Sequence, residues 1–186
     1  MTHIIGIAGS LRRHSFNLAL LREAENLMPA GVTLNVRTIA GIPLYNADEE
    51  AADGLPRAVA ELKEAIVAAD GLLLATPEYN NGIPGVFKNA VDWLSRPADD
   101  IGRVFGAKPV AMIGASPGGF GTILSQDAWL SVLRTLGTRP WFEGRLLAAR
   151  AGGLFDAEGQ LTDEPMRERL RAFISGFVTF VEESKA

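Results

Sequence analysis

The amino-acid sequence predicts a doubly wound α/β fold, with one five-stranded parallel sheet covered by helices on both faces. The main observation is that apolar runs of strand length alternate with segments of helical periodicity along the whole chain. Several of these runs are apolar almost throughout, which is typical of parallel strands that are buried on both faces. The 186 residues contain no internal repeat and no domain linker, so we expect a single domain spanning residues 1–186.

The N-terminal half alternates three predicted strands with two predicted helices. The first and third strands are apolar runs, and the second alternates, which suits a position near the sheet edge. A long, turn-rich segment from Ala40 to Gly54 precedes the second helix. In chain order, the predicted elements are the strand His3–Ala8, a helix from Phe16 to about Met28, the strand Thr33–Ile39, the helix Pro56–Ala69 and the strand Gly71–Thr76.

The C-terminal half continues the alternation. A linker from Pro97 to Lys108 is expected after the third helix, which Pro97 stops. The predicted elements are the helix Pro84–Ser95, the strand Pro109–Ala115, the helix Thr122–Leu136, a last strand within 139–149 and the helix Asp163–Glu183. With right-handed crossovers, five such strands fit the flavodoxin-like order 2-1-3-4-5, whose switch point lies between strands one and three.

Composition excludes several classes of function. A net charge of −4 gives no general affinity for nucleic acid or for acidic membranes. The absence of cysteine excludes disulfides, a thiolate nucleophile and cysteine metal sites. No apolar run approaches membrane-spanning length, and the N-terminus enters a strand at once without a signal-peptide pattern. We therefore expect a cytoplasmic protein with no nucleic-acid or membrane partner and no metal site.

The segment from Ala75 to Gly85 is a polar loop after a central strand. Pro77 pushes the residue before it into an extended conformation and so ends the strand. Asn80-Asn81-Gly82 supplies residues that tolerate positive φ, and Pro84 suits the first turn of the next helix. Ligands of open α/β sheets bind at this end of the strands. The alternative is that the segment is only an ordinary strand-to-helix connection, which would have a similar sequence.

The loop from Gly9 to Asn17 has the composition of an anion site. It joins the first strand to the first helix, where unpaired N–H groups and the helix dipole favour negative charge. Two serines, an amide side chain, Arg12 and Arg13 add donors and positive charge, which suits a phosphate monoester. The simpler alternative is that Ser15 or Asn17 only caps the helix.

The nucleotide motifs that are missing narrow the choice of ligand. The segment from Gly6 to Leu11 lacks G-x-G-x-x-G, and no Walker sequence occurs anywhere in the chain. The loop after the first strand is therefore indicated as a phosphate site at the position where this fold binds a mononucleotide. It lacks the sequence motifs that usually mark NAD or ATP binding. FMN is the mononucleotide that this architecture holds at its switch point.

The loop from Gly114 to Thr122 follows the fourth strand. Its glycines let the backbone approach a flat ligand, and we expect the N–H groups of the following helix to face a ring edge that becomes negative on reduction. The loop also matches the G-x-S-x-G motif of serine hydrolases around Ser116. A hydrolase reading fails because the only histidines, His3 and His14, lie upstream of this serine.

Spaced motifs in these loops together carry a resemblance to a known family. They are Gly9-Ser10-Leu11-Arg12 with Ser15 and Asn17, Thr76-Pro77-Glu78-Tyr79-Asn80 with Ile83-Pro84-Gly85, Lys88-Asn89 and Asp92-Trp93, and the stretches Ile42–Asn46 and Leu154–Asp156. In this respect the chain resembles the NADPH-dependent FMN reductase family, which includes bacterial quinone, chromate and azo-dye reductases. The resemblance covers essentially the whole chain.

The resemblance implies a set of cofactor-binding residues and no catalytic side chain. Ser10, Arg12, Ser15 and Asn17 would hold the FMN phosphate, and the adjacent Phe16 would also bind the cofactor. Pro77, Glu78, Tyr79 and Asn80 would line the ring, and Ser116 and Gly118 would contact the ring or ribityl side. It implies a homodimer or homotetramer, with the third predicted helix and the Tyr45 loop close to the partner. Lys88 and Asp92 could equally form only an exposed helical pair, and Trp93 could lie in the core or at an interface.

We expect NADPH or NADH as co-substrate and a small-molecule electron acceptor such as a quinone or a flavin. Because the flavin carries the chemistry, the reaction needs no acid or base side chain, and one face shared by both substrates predicts ping-pong kinetics. Two alternatives remain open from the sequence: an FMN-binding electron carrier without an NAD(P)H site, and a binding module of the same fold without flavin.

Overall fold

The computed structural model describes residues 1–185 and confirms the predicted sheet. Its strands are β1 (Thr2–Ala8), β2 (Val32–Thr38), β3 (Gly71–Ala75), β4 (Pro109–Ala115), β5 (Arg139–Pro140) and β6 (Leu146–Ala148). All pairings are parallel in the order β2-β1-β3-β4-β5, and β6 also pairs with β4. The switch point therefore lies between β1 and β3, as the sequence predicts.

The described part of the chain contains seven α-helices. They are α1 (Phe16–Asn26), α2 (Ala47–Asp53), α3 (Arg57–Val67), α4 (Gly85–Leu94), α5 (Ile101–Phe105), α6 (Ile123–Thr135) and α7 (Glu164–Glu183). The apolar faces of α1 and α7 pack on one side of the sheet, and those of α3 to α6 pack on the other. None of the helices within residues 1–185 combines the length and the hydropathy that crossing a bilayer requires.

Two short helical segments lie where loops were predicted. The helix α2 forms inside the turn-rich segment, and its seven residues include no buried side chain. A 3₁₀ turn at Ala98–Asp100 and α5 occupy the predicted linker. Neither segment is long enough to show helical periodicity, so caps and tertiary contacts decide its conformation. For α2 the cap is Asn46, whose side chain accepts a hydrogen bond of 3.0 Å from the Asp48 N–H.

The last strand of the sheet is broken into β5 and β6, which both pair with β4. Between them the chain leaves the sheet edge at Trp141, whose ring is buried against Phe173 and Phe177. A Cβ atom at Gly144 or Gly176 would lie 2.4 Å or 2.7 Å from this ring, so both glycines make room for it. The strand is interrupted because burying the indole takes precedence over continuing the ladder.

Candidate functional site

Three loops meet at the carboxyl edge of the sheet, because the strands that they follow are neighbours. The Gly9 N–H donates to the Ala75 carbonyl at 2.9 Å and so ties the ends of β1 and β3. The Thr76 N–H donates to the Ile113 carbonyl at 2.9 Å and ties β3 to β4. Loop one (residues 9–17), loop two (residues 75–85) and loop three (residues 114–122) therefore lie side by side at this edge, around the switch point where ligands of such sheets bind.

Loop one offers two hydroxyl donors that have no acceptor among residues 1–185. The Ser10 Oγ accepts a hydrogen bond from the Arg12 N–H, and the Ser15 Oγ accepts one from the Leu18 N–H, each at 3.3 Å. Both serines are largely buried, at 7% and 6% exposure. Since each hydroxyl is engaged as an acceptor, its own hydrogen is left to donate to a ligand.

The start of α1 adds further donors and positive charge. The Ala19 N–H makes the first helical bond, to the Ser15 carbonyl, so the N–H groups of Phe16 and Asn17 precede the helical ladder and have no intrahelical acceptor. Arg12 forms no salt bridge within residues 1–185, and its guanidinium lies 6.0 Å from the centre of the Phe16 ring. A loop with several donors, a cation and no acidic residue is suited to an anion.

The side chain of Asn17 has a structural task that the sequence did not reveal. Its Nδ2 donates to the Ala115 carbonyl and its Oδ1 accepts from the Ala115 N–H, each at 2.9 Å. The residue is 4% exposed. The amide therefore clamps the start of α1 to the end of β4, and what Asn17 offers to an anion is its backbone N–H.

Loop two contains a two-residue hairpin. Tyr79 and Gly82 exchange backbone hydrogen bonds of 3.2 Å and 3.1 Å, with Asn80 and Asn81 at φ of 49° and 60°. Positive φ at both central residues is the pattern of a type I′ turn. The two asparagines adopt the positive φ that their residue type tolerates, and Gly82 closes the hairpin. Pro77 is buried, whereas Tyr79 is 45% exposed at the loop tip.

A buried polar cluster fixes the base of loop two. The Thr76 Oγ1 lies 2.9 Å from the Ser125 Oγ and accepts a hydrogen bond of 3.0 Å from the Trp129 Nε1. All three side chains are fully buried. The cluster joins the end of β3 to the first two turns of α6, and the Thr76 hydroxyl also lies 2.9 Å from the Pro77 carbonyl, so each buried polar group has a partner.

The carboxylate of Glu78 points to α6. Its Oε2 accepts hydrogen bonds from the N–H groups of Leu124 at 2.8 Å and Ser125 at 2.9 Å. We expected the N–H groups at the start of this helix to face a ligand ring edge, and for these two the expectation is wrong because Glu78 occupies them. This contact joins residues 46 and 47 positions apart, which no local pattern shows.

Loop three is a tightly braced turn. The Ser116 N–H donates to the Ala148 carbonyl, its carbonyl accepts from the Ala151 N–H, and its buried hydroxyl donates to the Gly121 carbonyl. A Cβ atom at Gly114 would lie 1.9 Å from the Thr122 Oγ1, so only glycine fits there. With its hydroxyl bonded to a carbonyl, Ser116 has the surroundings of a structural brace and not of a hydrolase nucleophile.

The turn continues into the segment after β6. The Arg150 N–H donates to the Gly118 carbonyl at 2.9 Å, and Arg150 itself has φ of 51°. The exposed Gly118 is thereby held at the rim of loop three. Further along, the Phe155 ring stacks on Phe16 at a centroid distance of 5.5 Å, which connects this segment to loop one. The sequence placed Leu154–Asp156 among the motifs without indicating this contact.

The Tyr45 loop docks onto α4. The Asn89 side chain accepts from the Tyr45 N–H and donates to the Pro43 carbonyl, each at 2.8 Å, and Trp93 donates to the same carbonyl at 3.0 Å. Trp93 is 1% exposed and so lies in the core. On the outer surface of α4, Lys88 and Asp92 form the 2.6 Å helical salt bridge that one of the two alternatives describes.

Comparisons with known proteins agree with one another. The family model described as NADPH-dependent FMN reductase matches residues 2–152. A curated NAD(P)H-dependent FMN reductase from Pseudomonas aeruginosa is 45% identical over 168 residues, which cover 90% of this chain and 89% of that protein. A 2-hydroxy-1,4-benzoquinone reductase from a Burkholderia species is 35% identical, with 96% of each chain covered. The solved structure of FerB, a flavoenzyme NAD(P)H:(acceptor) oxidoreductase from Paracoccus denitrificans, superposes with a TM-score of 0.87 at 32% identity and covers 99% of both chains.

Proposed function

The chain belongs to the NADPH-dependent FMN reductase family, and we propose that it binds FMN across loops one, two and three and passes electrons from NAD(P)H to a small acceptor. The observation that carries the proposal is the excess of donors in loop one. The hydroxyls of Ser10 and Ser15, the N–H groups at the start of α1 and the Arg12 guanidinium all lack an anionic partner in the described structure. A phosphate monoester supplies the acceptors and the negative charge that this loop lacks.

Residues of loops two and three are proposed to line the isoalloxazine ring. Pro77, Glu78, Tyr79 and Asn80 would contribute chiefly through backbone and apolar surface, because the Glu78 carboxylate is bonded to α6. Ser116 and Gly118 would contact the ring or the ribityl chain from loop three. When bound, FMN supplies the redox chemistry, and these residues bind it, orient it and leave one side of the site open.

The proposed reaction needs no protein acid or base. The side chains nearest to the site are either braced by hydrogen bonds, as in Ser116 and Asn17, or apolar, as in Pro77. Tyr79 and Asn80 are exposed at the tip of loop two, and we propose that a nicotinamide and an acceptor use this exposed side in turn. We therefore propose ping-pong order, in which the oxidised nicotinamide leaves before a quinone, a flavin or a similar acceptor enters.

Anaerobic mixing of the FMN-loaded chain with NADPH alone tests the reductase proposal. Loss of the flavin absorbance is the expected result, followed by its return on addition of a quinone. A steady-state panel of acceptors with NADPH and NADH then gives parallel double-reciprocal lines for ping-pong order. A chain that keeps its yellow colour with either nicotinamide would instead be an FMN-binding electron carrier, and the reductase proposal would be wrong.

The phosphate assignment is tested by replacing Arg12 and Ser15 together with alanine. We expect FMN affinity to fall by about a hundredfold, because one charged and one neutral donor are lost. Ser15 also caps α1, so the free energy of unfolding is measured alongside by urea titration. The matched control is Arg22→Ala, which removes an exposed arginine of the same helix that is paired with Glu25. Equal FMN affinity in the double variant and the control would refute the assignment.

We further propose that the active form is a homodimer or homotetramer built from this single domain. The Tyr45 loop and the outer face of α4 are proposed to lie near the partner. Sedimentation equilibrium of the FMN-loaded chain distinguishes the two assemblies, and a monomer at micromolar concentration would contradict both.

A further inference from the structure

Glu78 caps a helix that begins 45 residues after it in the chain. The helix α6 has no side-chain cap of its own, since the Thr122 at its N-cap position gives no capping hydrogen bond. The Glu78 carboxylate supplies that cap, with hydrogen bonds of 2.8 Å and 2.9 Å to the N–H groups of Leu124 and Ser125. A carboxylate at a helix N-terminus is favoured both by the unpaired N–H groups and by the dipole.

This contact acts in parallel with a second, uncharged one. Two residues before Glu78, the buried Thr76 hydroxyl forms hydrogen bonds with the side chains of Ser125 and Trp129. These bonds fix the end of β3 to α6. Glu78 extends the attachment outward from the strand end into loop two itself. Because loop three runs directly into α6, the carboxylate fixes the two ring-lining loops relative to each other.

The same contact changes the electric field at the site. A helix of 13 residues carries about half a positive charge at its N-terminus. That end of α6 lies at the carboxyl edge of the sheet, where FMN is proposed to bind. With Glu78 in place, a full negative charge lies on the two N–H groups and outweighs this partial positive charge. FMN gains negative charge when it is reduced, so a local anion opposes its reduction.

We propose that Glu78 is a positioning residue with an electrostatic effect: it locks loop two to α6 and loop three, and its charge holds the reduction potential of bound FMN below the value that an uncapped α6 would give. This inference rests on the proposed binding of FMN at these loops. It assigns the side chain a role away from the ring, whereas the backbone of the same residue would line it.

Two substitutions separate the mechanical effect from the electrostatic one. Glu78→Gln keeps an oxygen that can accept from the same N–H groups and removes the charge. It is expected to raise the reduction potential of bound FMN, with FMN affinity within about threefold of the wild type. Glu78→Ala removes both the accepting oxygen and the charge. It is expected to raise the reduction potential and to weaken FMN binding by about tenfold. The control is Asp127→Asn, which removes an exposed carboxylate of the same helix that forms no salt bridge within residues 1–185. It is expected to leave both quantities unchanged.

The measurements are a xanthine oxidase dye titration for the potential and fluorescence quenching for FMN affinity. Circular dichroism melting checks that each variant is folded. If Glu78→Ala does not fold, the reduction potential of Glu78→Gln still tests the inference. If the reduction potential of bound FMN were unchanged in Glu78→Gln and the FMN affinity of Glu78→Ala equalled that of the wild type, the inference about Glu78 would be overturned. The proposed function would still stand. If the wild-type chain itself bound no FMN, the proposed function would fail and the inference with it.

Discussion

Replacing Asn17 with alanine tests how the site is assembled. The substitution removes two hydrogen bonds of 2.9 Å and leaves the N–H and the carbonyl of Ala115 without partners. Ala115 is 3% exposed, so water reaches these groups poorly. A lost buried hydrogen bond that leaves its partner unsatisfied costs about 1–3 kcal/mol. For the two together we expect a loss of about 3 kcal/mol in the free energy of unfolding.

Urea titration followed by circular dichroism measures this loss, with an unchanged slope expected for a two-state domain. The corresponding fall in melting temperature is roughly 6–12 °C for a chain of this length. The matched control is Asn26→Ala, which makes the same change at the exposed end of α1. Within residues 1–185 that side chain makes one hydrogen bond, a long one of 3.4 Å to Glu23, so the expected change is within about 0.5 kcal/mol.

A second substitution examines the direction of the bonds. Asn17→Asp keeps an oxygen for the Ala115 N–H but places a carboxylate oxygen against the Ala115 carbonyl, which repels it. We expect this variant to be at least as unstable as Asn17→Ala at neutral pH. If Asn17→Ala and Asn26→Ala lost the same free energy, the two-bond clamp would not hold α1 to β4 and the reasoning would be refuted.

Two further predictions concern packing and acid stability. Gly9→Ala places a Cβ atom 2.1 Å from the Phe87 ring and is expected to lower the free energy of unfolding by about 1–3 kcal/mol, whereas Gly119→Ala, with nothing within 4 Å, is expected to be neutral in the same urea titration. Hydrogen bonds from an arginine and a lysine lower the pKa of Asp100, so its stabilising effect is present above the ordinary pKa of 3.8 and is lost as the pH falls below that value. Acid titration of Asp100→Asn should therefore show a smaller loss of stability below pH 4 than wild type, and Asp99→Asn serves as the exposed control.

The parts of the fold that the sequence predicts are those where burial and periodicity act together. β1, β3 and β4 are apolar runs covered on both faces, and the seven buried residues of α7 follow helical spacing. The segments that it missed, α2 and α5, are too short for periodicity. The break after Pro140 follows from packing Trp141 against α7, which is a tertiary preference without a local signal.

The site shows the same division. The Asn80-Asn81 turn and the cap at Ser15 are local, so the residue types reveal them. The clamp of Asn17 on Ala115 spans 98 positions, and the cap that Glu78 provides spans 46. Both depend on which strands become neighbours, so they emerge only once the sheet order is known. Asparagine and glutamate in these loops would otherwise be interpreted as ligand-binding side chains.

The central claim is that loop one pins the cofactor by its phosphate, and comparing FMN with riboflavin tests it most directly. The two molecules share the ring and the ribityl chain and differ only in the phosphate group. Fluorescence titration of the flavin-free chain should give an affinity for FMN about a hundredfold or more above that for riboflavin, because at least two charge-assisted hydrogen bonds are absent without the phosphate. Equal affinity for the two, or no binding of either, would contradict the account.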